Sequence, residues 1–217
     1  MPDCHCDRLD RTFSRKVAQG DLRDYLRNNA DRSTALLLDA LRRDGVVGRT
    51  LLDIGGGIGA IQLEMLAAGA ASAMDVDVSG AYLDVARQAA ADRGYGDRTA
   101  YRRGDFVDLA DEIGTADLVT LDRVICCYPD LEALARSAGE HARERLVVVH
   151  PRDQWWARLG AATLNVAGRP FGSSPFFVHR TARLEAILRV AGLECAWAGG
   201  TTFWRAAVYR RTTPISG

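Results

Sequence analysis

Lysine is nearly missing from this chain: Lys16 is the only one in 217 residues, so arginine carries almost all of the positive charge. With the heavy use of alanine, that bias fits a GC-rich genome better than a binding surface. Net charge is missing too. Twenty-eight basic side chains balance 28 acidic ones, which leaves no broad electrostatic footprint for nucleic acid. No apolar run approaches the roughly 20 residues that a membrane-spanning helix needs. Met1 to Gly20 is too charged for a signal peptide, so a cytoplasmic protein is expected. A disulfide framework is absent, because Cys4, Cys6, Cys126, Cys127 and Cys195 are odd in number and scattered. Cys4-His5-Cys6 has no second ligand pair at zinc spacing, so no metal is expected and the segment is expected to fray. Repeats, low-complexity tracts and linkers are lacking as well. With 47% hydrophobic and 26% charged residues, the composition suits one compact domain with a full core.

The most informative stretch is Leu51-Leu52-Asp53-Ile54-Gly55-Gly56-Gly57-Ile58-Gly59-Ala60. Apolar residues running into glycines predict a buried parallel strand that ends in a tight turn. Ile58, Ile61, Leu63, Leu66 and Ala67 then recur at helical spacing. Glycines at such a turn allow positive φ and remove the Cβ that would block a ligand, and the N–H groups of the following helix sit beside it. Gly55, Gly57 and Ala60 satisfy the dinucleotide fingerprint G-x-G-x-x-G/A. Asp53, Gly55, Gly57 and Gly59 equally match the D-x-G-x-G-x-G turn of class I S-adenosylmethionine (SAM) methyltransferases. The chain resembles that family from about Leu51 to Arg211. Asp53 discriminates between the two, because an acid in an apolar strand needs a partner. In the family it serves the ammonium-bearing end of SAM, which a dinucleotide lacks.

Residues 7 to 46 read as helical, with Asp31 or Ser33 capping a longer helix and Gly45 and Gly48 bracketing its end. Strands are predicted near 50–54, 71–76, 98–103, 116–121 and 145–150, and helices near 58–69, 79–93, 130–140, 153–167 and 181–191. This alternation predicts a doubly wound α/β sheet. Residues 193–198 and 202–209 read as two strands joined at Gly199-Gly200. A closing antiparallel hairpin is the mark of the seven-stranded, Rossmann-like methyltransferase sheet. The expected organisation is a helical N-terminal cap over 1–47 and a SAM-binding domain over 48–217. The resemblance implies that the cap covers the ligand mouth, with Phe13 and Tyr25 in it.

An acid about twenty residues past the glycines can bind ribose hydroxyls in charge-assisted hydrogen bonds. The family's V-D-x-S wording places it at Asp77, with Asp75 the alternative and Ser79 capping the next helix. The resemblance further implies cofactor roles for Asp53, Gly55, Gly56, Gly57, Val78, Asp105, Phe106 and Asp122. SAM would be the cofactor and S-adenosylhomocysteine (SAH) the product. Carboxyl ends of strands line the crevice in open α/β sheets, which brings Asp122 and Arg123 to the reacting end. His150 is the candidate base, with Tyr128 and Arg123 beside it. Arg152 is a candidate carboxylate clamp, while Trp155, Trp156 and Tyr25 are candidate substrate contacts.

Leu121 to Pro129, Gly168-Arg169-Pro170-Phe171, Phe177-Val178-His179 and Phe203 to Val208 are similar to the magnesium-protoporphyrin IX O-methyltransferases, which esterify a tetrapyrrole propionate. Cys127 stands where that group commonly has histidine. The expected function is methyl transfer to a carboxylate or hydroxyl oxygen of a hydrophobic small molecule, tetrapyrrole-like among them. A non-catalytic SAM-binding module and an NAD-dependent oxidoreductase are the alternatives. Asp53 and the terminal hairpin count against the second. A small-molecule substrate and no nucleic acid are expected, while peripheral membrane contact and a homodimer stay open.

Overall fold

A computed structural model describes Asp10, residues 14–168 and residues 174–212. Cys4, His5, Cys6, Phe13 and the Arg169-Pro170-Phe171 stretch lie outside the described residues. Seven strands form one sheet: β1 Thr50–Ile54, β2 Ser72–Asp77, β3 Thr99–Arg103, β4 Ala116–Asp122, β5 Ala142–Pro151, β6 Leu193–Gly200 and β7 Trp204–Arg211. Their order is β3-β2-β1-β4-β5-β7-β6. β1 to β5 run parallel, and β7 inserts antiparallel between β5 and β6. This is the doubly wound sheet with a closing antiparallel hairpin that the pattern predicts.

Burial on both faces explains the near-continuous apolar strands. Successive side chains point to opposite faces, so Leu146 and Val148 of β5 join one core cluster while Val147 and Val149 join another. The first core holds α6 (Leu131–His141) and α8 (Thr181–Val190) through Leu134, Ala138, Leu184 and Leu188. The second holds α2 (Arg32–Arg43) and α3 (Ala60–Ala67) through Leu37, Leu41, Ile61 and Met65. Asp31, not Ser33, caps α2, accepting the N–H groups of Ser33 at 2.9 Å and Thr34 at 3.2 Å.

Two boundaries depart from the sequence pattern for clear reasons. α3 starts at Ala60 rather than Ile58, because Gly57 and Gly59 take φ of 58° and 77° and hold the chain out of helix. β5 starts at Ala142 rather than Arg145. Its exposed Arg143 and Glu144 break the apolar pattern, but they pair at the sheet rim with Asp117 and Arg49. α1 (Arg15–Asn28) precedes α2, α4 (Gly80–Asp92) follows β2, and a short helix α5 (Phe106–Leu109) follows β3. α7 (Trp155–Gly168) rests on the body through Ala157 and Ala161 and turns Trp155, Leu159 and Val166 to solvent. Among the described residues no helix is long and apolar enough to cross a membrane.

Candidate active site

The strand ends converge on the glycine turn that follows β1. Gly55 has φ of 66°, and a Cβ there would lie 2.6 Å from Val124 Cγ2, so the turn needs glycine twice over. Gly56 has ordinary φ but no room. Its Cβ would lie 2.7 Å from each of Asp53 Oδ2, Asp75 Oδ1 and Gln62 Nε2. Asp53 and Asp75 are register partners on β1 and β2, and Thr120 of β4 is the partner of Asp53 on its other side. Thr120 Oγ1 donates to Asp53 Oδ1 at 2.6 Å, Gln62 Nε2 to Asp53 Oδ2 at 3.4 Å, and the Gly56 N–H to Asp75 Oδ1 at 3.2 Å. Both acids are wholly buried. Burial pushes the Asp53 carboxyl up to about 7, against the pull of the Thr120 hydroxyl. Burial, and next the charge of Asp53, push Asp75 well above the usual carboxylate range.

Above the turn lie two adjoining cavities of about 340 and 440 Å³, which share Asp21, Gly55, Gly57, Tyr82, Asp122 and Arg123. The first runs along Val76, Asp77, Val78, Gly104, Asp105 and Phe106 to Val124, Cys127, Tyr128 and Leu134. Asp77 is anchored by backbone N–H groups, Gly57 on Oδ2 at 3.1 Å and Ser79 on Oδ1 at 2.8 Å. The Val78 N–H faces the same carboxylate, and the residue lines the cavity. Asp75 lies beneath the turn and lines neither cavity. Asp105 caps α5 through the Val107 N–H at 2.9 Å and receives the Tyr128 hydroxyl at 3.0 Å. That bond ties the ends of β3 and β4 together across the cavity.

The second cavity lies under α1 and the start of α2, lined by Asp21, Asp24, Tyr25, Asn28, Asp31 and Thr34 opposite the glycine turn. Four side chains fasten this cover. Tyr82 donates its hydroxyl to Asp21, and Tyr25 to Glu64 at 2.6 Å. Arg123 Nη1 meets Asp31 Oδ2 at 2.6 Å, and Thr34 Oγ1 donates to Asp122 Oδ2 at 2.5 Å. Arg123 holds φ of 61°, a left-handed conformation rare for its side chain, and its Nε lies 3.5 Å from Asp122 Oδ1. Burial raises the Asp122 carboxyl while the Arg123 charge opposes it. Burial likewise pushes Asp31 up, but its Ser33 bond and the Arg123 charge outweigh that and leave it below the usual range.

The structure therefore gathers Gly55, Gly56, Gly57, Asp77, Val78, Asp105, Phe106, Asp122, Arg123, Tyr128 and Tyr25 around one cleft, with Asp53 directly beneath. Four sequence candidates stand elsewhere. His150 is 2% exposed, pairs in register with Arg205 of β7, and lines neither cavity. Its Nδ1 lies 2.9 Å from the Pro151 carbonyl oxygen, and burial depresses the imidazole to about 4. Arg152 is committed to the β6–β7 turn, donating to the carbonyls of Thr201 at 2.7 Å and Gly199 at 3.4 Å. Trp155 is open to solvent, and Trp156 packs on Phe203 with ring centroids 6.0 Å apart. Neither tryptophan lines the cavities.

Sequence reasoning missed Asp21, Thr34, Gln62, Tyr82 and Thr120. One signal was present for Asp21, which lies one helical turn before Tyr25 and so shares its face. Among the described residues no group of three His, Cys, Asp or Glu is placed to hold a metal ion.

Residues 51–145 match the family described as a methyltransferase domain. No curated protein matches the chain. The solved magnesium protoporphyrin IX methyltransferase of Synechocystis with bound SAH superposes with a TM-score of 0.66 at 22% identity, covering 82% of this chain and 81% of that one. With bound SAM the same enzyme gives 0.64 at 22% identity, over 95% and 90% of the two chains. An O-methyltransferase family 2 protein from Planctomyces limnophilus, in complex with apigenin, gives 0.67 at 20% identity, over 91% and 62%. At these identities the likeness shows the fold. The stretch from β1 into β5 thus matches a methyltransferase-domain model, and the whole chain shares the fold of solved structures that hold SAM or SAH.

Proposed function

We propose that the cleft binds SAM and that the protein methylates an oxygen of a hydrophobic small molecule, with a carboxylate the leading acceptor. The observation that carries the first half is Asp77, held at the cavity wall by the Gly57 and Ser79 N–H groups. A carboxylate held at the cavity wall suits a vicinal diol, and the glycine turn beside it leaves room that a Cβ would fill. The residues fit the rest of the cofactor too. Asp105 and Phe106 line the same cavity and offer an acceptor and a ring face to adenine, and the adjacent opposite charges of Asp122 and Arg123 complement an amino-acid zwitterion. When bound, SAM supplies a methyl group already activated by its sulfonium.

The acceptor follows from what the cleft offers a proton. Among the described residues no histidine lines either cavity. Of the acids that line the cavities, Asp21, Asp31, Asp77, Asp105 and Asp122 already accept hydrogen bonds from the protein, and Asp24 is exposed to solvent. A carboxylate needs no base, so alignment and exclusion of water suffice. The chain's own part is to hold both reactants under α1 and α2, which act as the cap, and to shield them with Val124, Cys127, Tyr128 and Leu134. Porphyrin propionates head the substrate screen because a tetrapyrrole methyltransferase shares the fold.

Calorimetric titration with SAH, and with NAD as control, tests the cofactor. Asp77→Ala removes two charge-assisted hydrogen bonds and should weaken SAH about 100-fold or more. Binding of NAD instead of SAH would sink the reading. SAH binding with no turnover on any carboxylic or hydroxylic acceptor would favour a non-catalytic SAM-binding module.

A further inference from the structure

We infer that Asp53 and Asp75 hold a single proton between them beneath the glycine turn just above neutral pH, with Asp75 its carrier and hence a positioning residue for the turn. The geometry leaves little alternative. The two acids are register partners on adjacent strands, both wholly buried, and one oxygen of each lies 2.7 Å from the point where a Gly56 Cβ would sit. Two carboxylates that close in a dry setting do not both ionise.

The donors decide which one keeps the proton. Asp53 alone receives the short Thr120 hydroxyl bond, while the Gln62 amide serves both acids, so Asp53 ionises more readily. Asp75 Oδ1 receives the Gly56 N–H, and its Oδ2 is buried without a partner, a poor setting for a charge. The other groups that face the pair only add to this. Asp77 on β2 and Asp122 on β4 are acids, and Tyr101, the β3 partner of Asp75, is a phenol that burial pushes further toward its neutral form. Burial lifts Asp53 to about 7 and, with the Asp53 charge, lifts Asp75 well up, which gives the same order.

The consequence is mechanical. A neutral Asp75 accepts from Gly56 without repelling Asp53, and so the turn stays flat over both acids. Ionising Asp75 would set two like charges directly under the backbone that faces the cleft. Asp75 touches no ligand on this view and works only through Gly56.

Carbon-13 NMR of the ligand-free chain, labelled at the aspartate carboxyl carbons, reads the proton whether or not the methyltransferase reading holds. One carboxyl signal should stay in its protonated position at pH 8, above the Asp53 ionisation, and vanish in Asp75→Asn. Ionisation of every aspartate below pH 5 would overturn the inference. So would a protonated signal that survives Asp75→Asn and disappears in Asp53→Asn. SAH affinity then separates positioning from bulk packing. Asp75→Ala, which loses the acceptor for Gly56, should bind about fivefold more weakly, and the isosteric Asp75→Asn should recover most of that. Equal losses in both variants would refute the positioning role while leaving the NMR result to judge the proton.

Discussion

Replacing Gly56 by alanine tests the packing beneath the turn most directly. The backbone there is compatible with any residue, since Gly56 is not among the positive-φ positions, so the cost comes from the added methyl alone. That methyl would sit 2.7 Å from Asp53 Oδ2, Asp75 Oδ1 and Gln62 Nε2. None of the three can swing aside freely, because Asp53 is held by Thr120 and all three residues are buried. Overpacking of this kind costs about 1–3 kcal/mol, and losing one buried hydrogen bond adds about 1 kcal/mol. A total near 3 kcal/mol should lower Tm by roughly 6–12 °C in a chain of this size. The control is Gly20→Ala in the interior of α1, where nothing lies within 4 Å of the new Cβ. Relief of glycine's entropy there should stabilise by about 0.5–1 kcal/mol. Calorimetric melting of both variants without ligand is the assay. A Gly56→Ala protein that melts with the wild type would refute the crowding argument. So would a Gly56→Ala/Asp75→Ala double variant no more stable than the sum of the single losses predicts, since removing a clashing partner must relieve strain.

Other expectations follow from the same geometry. Asp53 is raised to about 7 in the fold, so the stability that this shift contributes is whole below its unfolded value near 4 and fades as pH rises through about 7. His150 is lowered to about 4, so its contribution is whole above its unfolded value near 6.5 and fades as pH falls toward 4. The two slopes oppose each other between those limits. Asp53→Asn should therefore melt at temperatures that climb more steeply with pH than the wild type, and parallel curves would contradict the burial argument. Proton NMR should show the His150 ring neutral down to about pH 4; titration near 6.5 would place it in water. Thr34→Val removes the donor to buried Asp122 and should speed amide exchange in α1 and α2 while leaving β4 protected. Unchanged exchange in both helices would refute a fastening role for the Thr34 bond.

Most of the fold was legible because its signals are local. The run of Leu51, Leu52 and Ile54 into glycine marks β1, and the two short strands around Gly199-Gly200 mark the hairpin that closes the sheet. Asp77, Asp105 and Asp122 could be found because strands of a parallel sheet deliver their ends to one edge. His150 misled for the same reason. It does end a parallel strand, but β7 runs back alongside β5 and sets Arg205 opposite it, so the ring is enclosed by the hairpin instead of opening on the cleft. Arg152 failed likewise, since the tight turn beyond β6 leaves the Thr201 and Gly199 carbonyls in need of a donor. Held at those carbonyls, the side chain lines neither cavity.

What stayed hidden was every interaction set by register. Asp53, Asp75 and Thr120 lie 22 and 45 positions apart along the chain, yet pairing of β2, β1 and β4 puts them in one row. A one-residue slip of β2 would turn Asp75 to the other face of the sheet. Gly56 supplies the complementary constraint from above, because only a residue without Cβ can lie flat on that row. The middle glycine of the turn is thus explained less by the ligand than by the acids below it. The outer glycines answer to φ and to the cleft; Gly56 answers to Asp53, Asp75 and Gln62. A ligand-only account of the motif predicts that Gly56→Ala harms binding and spares the empty fold, whereas the buried row requires the fold itself to weaken first.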